Sequence, residues 1–322
     1  MKAKHVIIYL LLVIVTSSCI RDEAPNAEAD ILSCRLPGIT MTTSPIINNN
    51  SVTLFVTPGT NISALAPEFT LTSGATITPA SGTERNFNSP QEYQVTAADG
   101  IWKKTYAISV IDTELATIYN FEDTISGKKY YIFVERENDK VIMEWASGNA
   151  GYAMTGVAKT ADDYPTFQIA NGKNGKCLSL VTRSTGFFGG LVGMPIAAGN
   201  LFIGSFDVNN AMSNPLQATK FGLPFRHVPT YLAGYYKYKA GDQFTEGGKP
   251  VEGKRDICDI YAIMYETSVS VPTLDGTNAF TSPNLVSMAR IKDAKETDEW
   301  TYFKLPFTTL PGKFIDKEKL TM

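Results

Sequence analysis

Strand-length alternations of apolar and polar residues, separated by turn residues, run through most of this chain, and helical periodicity over ten or more residues is hard to find. Between Asp30 and Ile111 the strand-like runs cover residues 31–34, 52–56, 68–71, 92–97 and 104–111. Tyr93, Val95 and Ala97 alternate with polar neighbours, as do Tyr106, Ile108 and Val110, so each of these strands offers one face to a core. Asp99-Gly100 stands between the two runs, where a hairpin needs residues that accept positive φ. The pattern predicts a small antiparallel sandwich of immunoglobulin-like type over residues 30–112.

Beyond the polar junction Asp112-Thr113-Glu114 the chain becomes rich in aromatics and glycine. Strand candidates there are residues 130–134, 141–145, 178–182, 201–206, 231–238, 257–265 and 300–305. Many short strands with Gly and Pro turns, and no alternating helices, predict a second sandwich or jelly roll over residues 115–322. The expected fold class is all-β throughout.

The first residues follow a different rule. Lys2 and Lys4 precede an apolar run over residues 5–15, and Thr16-Ser17-Ser18 leads into Cys19. The run falls short of the roughly 20 apolar residues a membrane span needs, so residues 1–19 read as a removed lipoprotein signal with Cys19 as the lipidated residue. Residues 20–29 form a linker, and its Ile20-Arg21-Asp22-Glu23 resembles the acidic export tag of Bacteroidetes lipoproteins; a solvated tether is the plain alternative. The expectation is an outer-membrane lipoprotein facing outward, with the membrane as a partner through the Cys19 lipid.

Composition narrows the choices. A chain of 322 residues, 43% apolar and 19% charged, buries sizeable cores and suits about two domains. A net charge of -3 and a pI near 5.6 lack the basic stripe of a nucleic-acid binder, so nucleic acid is excluded as an expected partner. Of the 4 cysteines, Cys34, Cys177 and Cys258 remain after lipidation, without metal-like spacing, either as one bridged pair or as buried thiols. His227 is the one histidine beyond the signal, a poor basis for a His-rich metal site or a Ser-His-Asp triad.

Ordered motifs carry two resemblances. Residues 52–60 (VTLFVTPGT), 65–69 (LAPEF) and 93–100 (YQVTAADG) resemble the Ig-like modules that open Bacteroidetes surface lipoproteins and act as spacers. Residues 119–123 (YNFED), 145–152 (WASGNAGY), 195–206 (PIAAGNLFIGSF), 221–225 (FGLPF), 234–239 (GYYKYK) and 259–262 (DIYA) resemble the putative carbohydrate metabolism domain family. That resemblance implies a jelly roll like those of carbohydrate-binding modules, and a protein that binds or helps process a polysaccharide or oligosaccharide. It also implies further strands after residues 300–307, so the stop at Met322 reads as a truncation in the first place, or else as a jelly roll that lacks a closing strand and leaves an open sheet edge.

Sugars stack on aromatic faces and hydrogen-bond to planar polar groups. By residue type the glycan-binding candidates are Trp145, Asn149, Tyr235, Lys237 and Arg226, with Tyr152 and Tyr236 of the same kind. Alternation puts Tyr235 and Tyr236 on opposite strand faces, so at most one of them joins a shared site. Core packing is the competing role for each aromatic. A glycoside hydrolase needs paired carboxylates, for which Glu122 and Asp259 are the candidates among Asp123, Glu144, Asp207, Asp256 and Glu266. The jelly-roll resemblance further allows a structural calcium on Glu122 and Asp123, and implies no other cofactor. Gly199, Asn200 and Gly204 read as turn and close-approach positions, and a structural or adhesive role in a surface assembly is the remaining alternative.

Overall fold

The structure, a computed structural model, describes residues 26–268, 270–317 and 319–322. Cys19 and the expected signal and export segment lie outside the described residues. The chain is an all-β sandwich protein in which the few helices are short. No helix of the described residues is long and apolar enough to cross a membrane.

The first region contains β1 (Ile31–Arg35), β2 (Ile46–Ile47), β3 (Ser51–Phe55), β4 (Glu68–Leu71), β5 (Thr76–Thr78), β6 (Gln91–Thr96) and β7 (Lys103–Ile111). One layer is the pair β1-β4, and the other is a five-stranded sheet in the order β2-β3-β7-β6-β5. The expected hairpin joins β6 to β7: Gly100 has φ +70°, and the Asp99 carboxylate accepts the amides of Ile101 and Trp102 at 2.8 and 3.2 Å. Tyr93, Val95, Tyr106, Ile108 and Val110 pack with Val52 and Leu54 into a buried core, as the alternation requires. Cys34 joins that core as a free thiol, pushed up to about 12 by burial.

The pairing is not wholly antiparallel. β3 runs parallel to β7 with Leu54 opposite Val110 and Phe55 opposite Ile111, a long-range contact that no local pattern announces. That register gives the two strand ends a second function. Leu54 and Val110 fill the module's own core, while Phe55 and Ile111 join a second buried cluster with Leu115, Met143, Leu223, Phe225, Met264 and Leu320. A module expected as a spacer is therefore seated against the second region through a shared apolar core. Lys140 pairs with Asp112 at 2.6 Å, and His227 Nε2 lies 3.0 Å from Glu114, at the rim of this junction.

The second region continues with β8 (Val134–Glu137), β9 (Lys140–Glu144), α1 (Asn149–Tyr152), β10 (Thr166–Ile169), β11 (Cys177–Leu180), β12 (Arg183–Ser184), α2 (Gly186–Leu191), β13 (Ile196–Ala197) and β14 (Gly204–Phe206). It ends with α3 (Pro215–Ala218), β15 (Thr219–Phe221), β16 (Tyr231–Tyr238), β17 (Thr245–Glu246), β18 (Lys249–Pro250), β19 (Tyr261–Glu266), β20 (Leu274–Asp275), β21 (Leu285–Arg290), β22 (Thr297–Pro306), β23 (Thr308–Thr309) and β24 (Leu320–Thr321). The main sheet has the order β23-β21-β19-β24, and β16 pairs with β22 as a long antiparallel ribbon. β19 is buried on both faces: Met264 enters the junction cluster, while Ile263 and Tyr265 enter a third cluster with Leu274, Ala279 and Leu285. The last residues pair with the end of β19, Thr321 opposite Tyr265 and Leu320 opposite Glu266, so β24 extends the sheet there by a two-residue strand.

Candidate functional site

β16 and β22 carry strict alternation into space. Tyr231, Ala233, Tyr235 and Lys237 are exposed, whereas Leu232, Gly234, Tyr236 and Tyr238 between them are part-buried. On β22, Asp298, Glu299, Tyr302, Lys304 and Pro306 are exposed. The antiparallel register sets Tyr231 opposite Pro306, Ala233 opposite Lys304, and Tyr235 opposite Tyr302. The Tyr235 and Tyr302 rings meet with centroids 5.3 Å apart, tilted by 53°.

The result is an open aromatic face. Tyr231, Tyr235 and Tyr302 are 52%, 47% and 55% exposed, unlike core aromatics such as Tyr93, Tyr106 and Tyr265, although Trp102, Phe187 and Phe314 elsewhere are exposed as well. At about 3.3 Å per residue, Tyr231 and Tyr235 stand roughly 13 Å apart along the strand, a length suited to an oligosaccharide and not to one sugar ring. Three lysines edge the face: Lys304 Nζ is 4.0 Å from the Tyr231 ring centroid, Lys173 Nζ 4.2 Å from that of Tyr235, and Lys237 Nζ 5.4 Å from that of Trp300. Tyr236 turns to the other side, where its ring meets Phe303 and its hydroxyl accepts the Lys295 amide at 3.3 Å.

Lys173 arrives from a loop between β10 and β11, and Glu122 holds that loop. The Glu122 carboxylate accepts the Lys176 amide at 3.0 and 3.2 Å, while Gly172 N–H closes the turn on the Gly175 carbonyl at 2.9 Å. Gly175 has φ +66°, and a Cβ there would stand 2.3 Å from Glu122 Oε1. Glu122 is thus a loop clamp. Asp123 beside it is exposed, and among the described residues no group of three or more His, Cys, Asp or Glu is placed to hold a metal ion.

The other candidates lie elsewhere. Asn149 is fully buried: its amide donates to the Thr166 carbonyl at 2.7 Å and accepts the Thr166 amide at 3.1 Å. Thr166 Oγ1 in turn donates to the Asn200 carbonyl at 2.8 Å, and the Asn200 side chain accepts the Gly148 amide at 2.7 Å. Asn149 and Asn200 therefore knit three distant segments, and Asn149 has no surface to offer a sugar. Gly199 keeps the same region compact, since a Cβ there would lie 2.5 Å from the Pro165 carbonyl oxygen. Tyr152 is buried as well and donates to the Ser184 carbonyl at 2.8 Å.

Trp145 packs edge-on against Tyr119 at 5.0 Å and beside Phe121 at 5.5 Å, part of the junction cluster. Its Nε1 donates to Glu135 at 2.8 Å. Burial raises the Glu135 carboxyl above the ordinary glutamate range, the Trp145 hydrogen bond opposes that, and the Asp123 charge adds to it. Arg226 lines a junction cavity of about 20 Å³ with Thr42, Phe55 and Glu114, room for a water and not for a sugar. Asp259 is committed to Arg290 in a two-point pair of 3.0 and 2.7 Å, with the guanidinium 4.1 Å from the Phe280 ring centroid. Their shallow depression, about 440 Å³, has Asp259 as its one carboxylate among the lining residues, so Glu122 and Asp259 are not brought together as a catalytic pair.

Of the sequence candidates, then, Tyr235 and Lys237 meet on one face. Tyr231, Trp300, Tyr302, Lys173 and Lys304 complete it and were not singled out from sequence. The alternation over residues 231–238 and 297–306 carried the signal for the strand residues; nothing local marks Lys173.

Residues 120–322 match the model of the putative carbohydrate metabolism domain, and residues 31–110 match the N-terminal domain of SGBP, the surface glycan-binding proteins. The crystal structure of a putative glycoside hydrolase from Bacteroides thetaiotaomicron VPI-5482 is 83% identical, covering 94% of this chain and 90% of that one with a TM-score of 0.89. A second, of a putative glycoside hydrolase from Bacteroides vulgatus ATCC 8482, is 46% identical over 63% of this chain and 85% of that one, with a TM-score of 0.59. No curated protein matches.

Proposed function

Since the chain belongs to the putative carbohydrate metabolism domain family and is a carbohydrate-related surface protein, we propose that it binds glycan chains along the outer face of β16 and β22. The observation that carries the reading is the row Tyr231, Tyr235 and Tyr302, each about half exposed on one flat face. An apolar ring held rigidly in water offers a sugar's C–H face a stacking partner at little entropic cost. The lysines around the rings add donors for hydroxyl oxygens or charged groups. In this reading the Ig-like module orients the binding region through the Phe55–Ile111 junction, and a lipid on Cys19 tethers both to the outer membrane. Affinity electrophoresis of the chain from Cys19 onward against a polysaccharide panel tests it: retention lost on Tyr235→Ala with Tyr302→Ala supports the face, and retention unchanged by that pair removes it.

One observation favours a hydrolytic second reading. Glu135 is a half-buried carboxyl raised by burial, oriented by Trp145 and near Asp123, the environment a general acid requires. Release of new reducing ends from a retained polysaccharide, abolished in Glu135→Gln with binding intact, would establish it. Retention without reducing-end release leaves binding as the function.

A further inference from the structure

The cations on the aromatic face bear on the charge of its ligand. Some lysines of the molecule find carboxylates, among them Lys104 with Asp30 at 2.5 Å, Lys140 with Asp112 at 2.6 Å, and Lys254 with Glu246 at 2.6 Å. Lys173, Lys237 and Lys304 come together on one face, where each rests on an aromatic ring and, among the described residues, none is ion-paired. This concentration of unneutralised positive charge stands on a chain whose net charge is -3. The acidic residues of β22, Asp298 and Glu299, are exposed at the end of the ribbon where Thr297 pairs with Tyr238, close in register to Lys237 and away from Lys304.

The ring contacts also discriminate between ligands. A neutral sugar that stacks on the ring face covered by an ammonium, at Tyr231 or Tyr235, displaces that group and forfeits its cation–π contact. It returns no counter-charge. An anionic sugar displaces the same groups but gives each ammonium an acceptor, and a charge-assisted hydrogen bond is the stronger of the two contacts. The loop clamp fits this use, since the Glu122 bond to the Lys176 amide fixes the loop that brings Lys173 over Tyr235.

We propose that the β16–β22 face selects an anionic glycan, one carrying uronic-acid carboxylates or sulfate esters, with Lys173, Lys237 and Lys304 as the residues that recognise the charge. The inference rests on the glycan-binding reading of the same face. It is tested by affinity electrophoresis with matched polymers: polygalacturonate against its methyl ester, chondroitin sulfate against desulfated chondroitin, and dextran sulfate against dextran. The expected result is salt-sensitive retention by the charged member of a pair, weakened at least about tenfold by Lys173→Gln, Lys237→Gln and Lys304→Gln together. The pair that responds separates carboxylate from sulfate recognition. Loss of retention in Tyr235→Ala with Tyr302→Ala distinguishes this face from general attraction to polyanions. Equal retention of neutral and charged members, or a lysine variant that binds as the parent does, overturns the charge inference and leaves glycan binding standing. No retention of any polymer overturns both.

Discussion

Trp145 with Asn149 and Tyr235 with Lys237 are chemically matched pairs, each an aromatic beside a polar group, yet they occupy opposite kinds of environment. Trp145 is wedged among Tyr119 and Phe121, and Asn149 is fully buried on the Thr166 peptide. Tyr235 is 47% exposed, with a second tyrosine opposite it and Lys173 over its ring. Residue type nominates both pairs; strand register decides which one faces solvent. Alternation over β16 sends every second residue outward, whereas α1 and its flanks fold Asn149 inward to satisfy a neighbouring backbone.

The largest expected effect sets the two regions apart directly. Tyr235→Ala with Tyr302→Ala should weaken glycan retention by about thirtyfold or more, the size of a central hot-spot loss, while the melting temperature stays near that of the parent. Asn149→Ala should do the reverse. It leaves a buried amide and carbonyl of Thr166 without partners, at about 1–3 kcal/mol each, and calorimetry should show a melting temperature several degrees lower with retention unchanged.

Smaller effects probe the supports of each region. Glu122→Gln should loosen the Lys173 loop, reducing retention only a few-fold, within about 1 kcal/mol, because the turn keeps its Gly172–Gly175 hydrogen bond. Amide hydrogen exchange should rise at Lys176 and stay constant at Thr166. Glu135 gives a test by pH. Its folded carboxyl holds its proton above the ordinary 4.5, so the folded state binds the extra proton and stability falls as pH rises from that value through the raised one. Glu135→Gln should flatten that decline in chemical denaturation across the same pH range.

The outlines of this division were legible in the sequence where one strand face is wet. Residues 231–238 coincide with β16, and the Asp99-Gly100 turn and the alternating residues of β6 and β7 appear as the pattern predicts. Strands buried on both faces lose that signal: Leu285–Arg290 is an apolar run without alternation and was not foreseen. Residues 130–134 read as a strand because of their aromatics, but Tyr130 and Tyr131 are used to pack against Tyr164 and Phe133, and β8 starts at Val134. The parallel β3–β7 pairing and the arrival of Lys173 beside Tyr235 are long-range facts, set by tertiary packing and invisible to local pattern. Which aromatics form the open face is therefore set by register more than by residue type.

Hydroxyl-radical footprinting of the chain with and without a polysaccharide that retains it tests the central claim most directly. Protection should fall on Tyr231, Tyr235 and Tyr302, with Trp145 and Tyr152 unchanged. Protection centred on Trp145 with the β16–β22 tyrosines still fully reactive would contradict the account.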